Sequence, residues 1–141
     1  MSETQRIFRG PPGFGEAVEG EVLVSTEGFS PRYDLDRDSG VISRKGHAIE
    51  GESIAGKILV VPSAKGGVAA GWAFYDLRQR GIAPKALICG TTNPVFVQGC
   101  VLAGIPIMHE LTPDAVAGLG DCKRARMDPK AGTVTVLSSR E

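Results

Sequence analysis

The sequence carries no excess charge of either sign. Lys plus Arg and Asp plus Glu number 16 each, so there is no bulk field to draw the phosphates of a nucleic acid, which argues against that partner. The one basic run, Lys123-Arg124-Ala125-Arg126, is short and reads as a solvated strand face. Long apolar runs are also missing. None approaches the ~20 residues of a membrane span, and the opening "MSETQRIFRG" has no basic region followed by an apolar core. No secretory leader and no membrane contact are therefore expected, and the expected location is the cytoplasm. Cysteine is sparse: Cys89, Cys100 and Cys122 are odd in number, widely spaced and form no Cys-x-x-Cys pair. That excludes a disulfide framework and leaves buried free thiols as the expectation. There is no internal repeat and no low-complexity tract.

What is abundant is glycine, 19 residues, beside 9 prolines, spread along the chain. They predict many tight turns between short elements, which favours a compact mixed fold over a helical bundle. At 141 residues and 42% hydrophobic content the chain suits one globular domain, residues 1–141, with a real core. The first third reads as β, with a strand from Val18 through Val22-Leu23-Val24 and a short run Val41-Ile42. Between them "GFSPRYDLDRDSG" reads as a long loop, and "HAIEGESIAG" as another.

The middle third changes character. Ile58 to Val61 is continuously apolar and rich in β-branched residues, as expected of a strand covered on both faces. Val68 to Arg80 fits a helix: Ala69, Ala73 and Leu77 recur at helical spacing, Val68, Trp72 and Tyr75 widen the apolar face, and Gly81 stops it. Ala86 to Cys89 reads as a second buried strand. Asn93-Pro94 is a helix start, Asn as N-cap and Pro at the first position. That helix runs to Ala103, Gly104 ends it, and Ile105 to Met108 is a third buried strand. Right-handed crossovers make this β-α-β-α-β unit a parallel sheet. In the last third "CKRARM" and "TVTVL" flank "DPKAG" and predict a hairpin. The alternation does not continue, so the chain is not a Rossmann domain.

Chemistry concentrates after the first buried strand, in Pro62-Ser63-Ala64-Lys65-Gly66-Gly67. Backbone N–H groups at a helix start are unpaired and carry the positive end of the dipole. Gly66 and Gly67 would let a ligand close to those groups, Lys65 adds a positive charge and Ser63 a hydroxyl. A carboxylate or phosphate suits such a place. A tight strand-to-helix turn with no ligand would use the same residues. Neither a Walker loop nor Gly-x-Gly-x-x-Gly is present, which makes a nucleotide a poor guess. Thr91-Thr92-Asn93-Pro94 holds the equivalent place after the second buried strand, so both loops are expected on one side of the sheet. Asn93 reads first as an N-cap. Thr92 and Asn93 are candidate substrate contacts.

Other patterns exclude more than they offer. "DLDRDSG" has Asp34, Asp36 and Asp38 at alternate positions, but Ser39 and Lys45 stand where a calcium loop needs Gly and Glu. A solvated turn ending at Gly40 is expected instead. His47, His109 and Glu110 are the remaining chemical groups. His109-Glu110 is expected at the carboxyl end of a strand, and a lone His is usually structural. No metal-ligand spacing and no Ser-His-Asp or Cys-His arrangement is found. Taken alone, the chain is short of catalytic equipment.

In the order and spacing of two segments, "DRDSGVISRKGHAIEGESIAGKILVVPS" and "GIAPKALICGTTNPVFVQGCVLAGIPI", the chain resembles the small, or swivelling, subunit of aconitase X-type dehydratases. The resemblance covers most of the chain. It implies a swivelling β/β/α domain of the α/β class, with a parallel central sheet, a second β layer and helices. It implies no cofactor on this chain and a large catalytic partner subunit that holds an iron or iron–sulfur centre through its own cysteines. The reactions it implies are dehydrations of small hydroxy acids, such as a 3-hydroxyproline or a phosphorylated mevalonate. The family pattern after the strand is similar to Pro-Ser-Gly-Arg-Gly-Ser, whose last serine is the base. Here Lys65 matches the arginine and Gly67 takes the serine's place. The resemblance thus implies an anion clamp of Lys65, Gly66 and Gly67, and leaves Ser63 as the nearest hydroxyl for proton transfer. The alternative expectation is a non-catalytic anion-binding or regulatory module that has lost the serine. Self-association of the isolated chain is open.

Overall fold

The buried runs of the sequence form the middle of one mixed sheet. The computed structural model describes residues 6–31, 33–64 and 68–140. In chain order the elements are β1 (Ile7–Arg9), β2 (Val18–Val24), β3 (Leu35–Asp36), β4 (Val41–Ile42), β5 (Ile58–Ser63), α1 (Val68–Gln79), β6 (Ala86–Thr91), α2 (Pro94–Ala103), β7 (Ile107–Met108), α3 (Pro113–Gly118), β8 (Cys122–Asp128) and β9 (Thr133–Ser139). The large sheet has the order β1-β9-β8-β2-β5-β6-β7. Strands β2, β5, β6 and β7 are mutually parallel, so β2 adds a fourth parallel strand to the predicted three. Strand β2 serves two partners: Val18–Glu21 pairs antiparallel with β8, and Val22–Val24 pairs parallel with β5.

Period-two alternation divides the core along β5 and β6. Leu59, Val61, Leu87 and Cys89 share a cluster with Phe74, Leu77, Phe96 and Cys100 of α1 and α2. Ile58, Val60, Ala86 and Ile88 share the other with Leu111 and Val116, and with Ala125, Met127, Val134 and Val136 of the β8–β9 hairpin. The hairpin is therefore the second β layer, curled over the face opposite the two long helices. Covering both faces is why these strands read as unbroken apolar runs.

Helix α2 follows its sequence signals at both ends. Asn93 Oδ1 accepts from Phe96 N at 2.9 Å, Pro94 is the first helical residue, and Gly104 ends the helix at φ 72°, a conformation glycine adopts without the Cβ penalty. Helix α1 has the predicted start and stops at Gln79, but its apolar face is narrower than expected. Ala73, Phe74 and Leu77 are buried, whereas Trp72 is 67% and Tyr75 44% exposed. Nothing among the described residues packs over that side of the helix, so their rings stack edge-on against each other instead, 6.3 Å between centroids.

Three further differences have physical causes. The third buried strand is only Ile107–Met108, because Ile105 N closes the α2 C-terminus on Cys100 O. Strand β1 and helix α3 are too short for a periodic signal and were not foreseen in the pattern. The turn at residues 34–40 is solvated only from Asp36 to Ser39. Asp34 is 1% exposed, accepting from Ser30 N at 2.8 Å and from Arg44 Nη1 at 3.0 Å. It organises the loop from inside. His47 is also buried: its Nδ1 accepts from Ile49 N and its Nε2 donates to Gly28 O at 2.9 Å, the pattern of a neutral, structural imidazole. The residues of the basic run behave as predicted, with Lys123, Arg124 and Arg126 exposed and Ala125 buried.

Candidate functional site

All four parallel strands end on the same edge, at Val24, Ser63, Thr91 and Met108. Ligands of such sheets bind beyond the carboxyl ends. The loops beyond are stitched to one another by backbone bonds. Phe29 N donates to Ser63 O at 3.0 Å, Ala64 N to Thr91 O at 2.8 Å, and Glu110 N to Gly90 O at 2.7 Å. Ser63 and Thr91 face each other in register. Gly90 is what lets β5 and β6 close here, since a Cβ at that position would sit 2.4 Å from Pro62 O.

The predicted site residues fall into three groups. Ser63 is half-buried at the edge, and its hydroxyl has no hydrogen-bond partner among the described residues. Lys65, Gly66 and Gly67 lie outside the described residues, between Ala64 and the start of α1. Thr92 and Asn93 are brought to the same edge. The Asn93 side chain caps α2, as expected. Thr92 does something not foreseen: its Oγ1 shares a 2.8 Å hydrogen bond with His109 Nδ1. No local signal could have revealed this pair, because the two residues are 17 positions apart and meet only through the β6–β7 pairing. The position of His109 at a strand's carboxyl end was the partial clue.

Immediately after His109 the backbone is forced. Glu110 has φ 59°, the left-handed region, and is the only non-glycine residue there among those described. This conformation costs a side chain about 1–2 kcal/mol. It lets the chain turn so that Glu110 N and Leu111 N still bond Gly90 O and Cys89 O. Behind the edge, on the α3 side, lies a cavity of about 390 Å³ lined chiefly by Val24, Pro62, Gly90, Leu111 and Val116. Its walls are almost wholly apolar, so it offers shape rather than charge.

The cysteines do not fit an iron–sulfur ligand set. Such ligands must be thiolates that converge on one point. Cys89 and Cys100 belong to the α1–α2 cluster and Cys122 to the opposite one. Burial pushes the Cys89 thiol up to about 12. It raises Cys100 further, with Cys89 as a second cause, and raises Cys122 as well. Among the described residues no three His, Cys, Asp or Glu side chains form a group able to hold a metal ion, and no helix is long and apolar enough to cross a membrane.

Comparison with known proteins places this geometry. The model of a family described as the aconitase X swivel domain matches residues 7–136. The phosphomevalonate dehydratase small subunit of Thermococcus gammatolerans is 35% identical over 92% of this chain and 97% of its own. The protein of the same name from Pyrococcus horikoshii is 36% identical over 89% of this chain and 92% of its own. Among solved structures, the holo-form of Thermococcus kodakaraensis aconitase X superposes with a TM-score of 0.83 at 30% identity, covering 94% of this chain and 99% of that one.

Proposed function

The chain belongs to the aconitase X swivel-domain family, and on that premise we propose that it is the small subunit of a two-chain hydro-lyase that dehydrates a phosphorylated hydroxy acid of the mevalonate type. The observation that carries this reading is the match to small subunits of that name over nearly the full length of both chains. Residues 1–141 act as a single swivel domain that closes on a larger subunit. The large subunit supplies the iron or iron–sulfur centre, since the thiols of this chain are protonated and scattered. That centre, when bound, supplies the Lewis acid for the departing hydroxyl.

This chain contributes the substrate-binding half. Lys65 provides the charge that clamps the phosphate or carboxylate, and Gly66 and Gly67, which follow it in sequence, contribute backbone N–H donors. Thr92 and Asn93 border the same edge and orient the substrate. A lysine in place of an arginine makes the clamp a point charge rather than a planar fork. The apolar cavity behind Gly90 suits the hydrocarbon part of such a substrate and excludes water from it.

Co-expression with an aconitase X-like large subunit tests this. The complex should dehydrate 5-phosphomevalonate in preference to 3-hydroxyproline, and Lys65→Ala should lower kcat/KM by about 10²-fold or more, the scale of a charge-assisted contact to the substrate anion. Full activity of the large chain alone would refute the proposal. Gly67 in the place of the family's serine favours a second reading, a binding module without chemistry. Tight binding of phosphate esters by the isolated chain, with an inactive complex, is the outcome that reading requires.

A further inference from the structure

We infer that His109, held by Thr92, is the group that moves the substrate proton in this half-site, with Thr92 as its positioning residue. The inference rests on the dehydratase reading above and deepens it. Imidazole is the side chain suited to taking and returning a proton near neutral pH. His109 stands at the carboxyl end of β7, half-buried, on the edge shared by Ser63 and Thr91. Its Nδ1 lies 2.8 Å from Thr92 Oγ1, while its Nε2 has no hydrogen-bond partner among the described residues. The contrast with His47, the other histidine, is direct: there both ring nitrogens are consumed by backbone groups in the interior.

Two more observations point the same way. Backbone strain sits at Glu110, next to this ring and nowhere else among the described non-glycine residues, and strain of that kind collects at functional positions. Thr92 is the residue before the Asn93 cap of α2, so the hydroxyl that orients the ring is itself held by a helix start. A nucleophile or base oriented through its second nitrogen by a fixed hydroxyl or carboxylate is the recurring arrangement of proton-transfer histidines.

The step balances as follows. The Nδ1 proton is donated to Thr92 Oγ1, leaving the lone pair on Nε2. Nε2 takes the proton from the carbon adjacent to the one bearing the hydroxyl. The C–H electron pair becomes the new C=C bond, the C–O bond breaks, and hydroxide leaves with its pair. The proton on Nε2 passes to that hydroxide, giving water and restoring the neutral ring.

The test uses the complex with its large subunit and 5-phosphomevalonate as substrate. His109→Gln should lower kcat by about 10²–10⁴-fold, the range of general base catalysis, with KM changed far less. Imidazole added to His109→Ala should restore part of the rate. Thr92→Val should lower kcat and raise the primary deuterium isotope effect at the abstracted proton, and Thr92→Ser should recover both. Circular dichroism of each variant checks that it is folded. An active wild-type complex whose folded His109 variants keep the wild-type kcat overturns this inference alone. An inactive wild-type complex overturns the dehydratase reading, and the inference falls with it.

Discussion

Replacing Asp34 by alanine tests how the loop before β5 holds the site. The Asp34 carboxylate is 1% exposed. Its Oδ2 accepts from Ser30 N at 2.8 Å and its Oδ1 from Arg44 Nη1 at 3.0 Å. Truncation leaves the N–H of Ser30, a residue 4% exposed, without an acceptor, which costs about 1–3 kcal/mol. The pair with Arg44 adds little, because that side chain is 54% exposed and such pairs are worth about 0–1 kcal/mol. The sum is about 1–4 kcal/mol. At about 4 °C per kcal/mol for a chain of this size, the Tm should fall by about 4–16 °C. Arg44→Ala should cost no more than about 1 kcal/mol, and Asp34→Asn, which keeps one acceptor, should fall between. Urea unfolding followed by circular dichroism measures all three. Equal destabilisation by Asp34→Ala and Arg44→Ala would refute the reasoning, because it would mean that the buried N–H contributes nothing. The damage should reach the site, since Phe29 N, next to Ser30, is bonded to Ser63 O.

Two further outcomes follow from packing and burial. Gly90→Ala places a methyl group 2.4 Å from Pro62 O. Backbone must move, so stability should drop by about 1–3 kcal/mol, and activity of the complex should fall more than stability because Ser63 and Thr91 are displaced. An unchanged urea midpoint would contradict this. Burial raises the Cys89 thiol from 9.0 to about 12, so the folded chain binds more protons than the unfolded chain between those values. The stability due to this thiol is whole below pH 9 and is lost as pH rises toward 12, by about 1.4 kcal/mol per unit. Urea midpoints from pH 8 to 11 should show a shallower decline in Cys89→Ala than in the wild type, and parallel profiles would sink the idea.

Local signals were legible wherever one short segment carries the whole instruction. Asn93-Pro94 and Gly104 bound α2 because capping is decided within a turn. The runs 58–61 and 86–89 announced buried strands because burial on two faces leaves no polar residue to place. The hairpin around residues 128–132 was marked by its own turn. Signals failed where a neighbour distant in sequence decides the outcome. Trp72 and Tyr75 sit at helical spacing for the core, yet among the described residues no element covers that side of α1. Asp34 misled for a more local reason: it looks like one carboxylate of a solvated turn, yet Ser30 and Arg44, 4 and 10 residues away, hold it inside.

The same division holds for the site. From the residues alone came the second loop at 91–94 and the common edge on which the parallel strands β5 and β6 end, because connection handedness and strand direction follow from the order of elements; of the loop at 62–67, residues 65–67 lie outside the described residues. The order of segments carried the likeness to a family. Tertiary structure alone decided that β2 joins the parallel strands at one end and the β8–β9 hairpin at the other, that the hairpin closes the second face, and that His109 meets Thr92. The physical reason is that sheet pairing and side-chain contact across strands depend on partners far along the chain, which no window of sequence contains. Position 67 is a glycine by sequence. Which group at the strand ends could carry a proton is a question only the folded edge, with His109 on it, could pose.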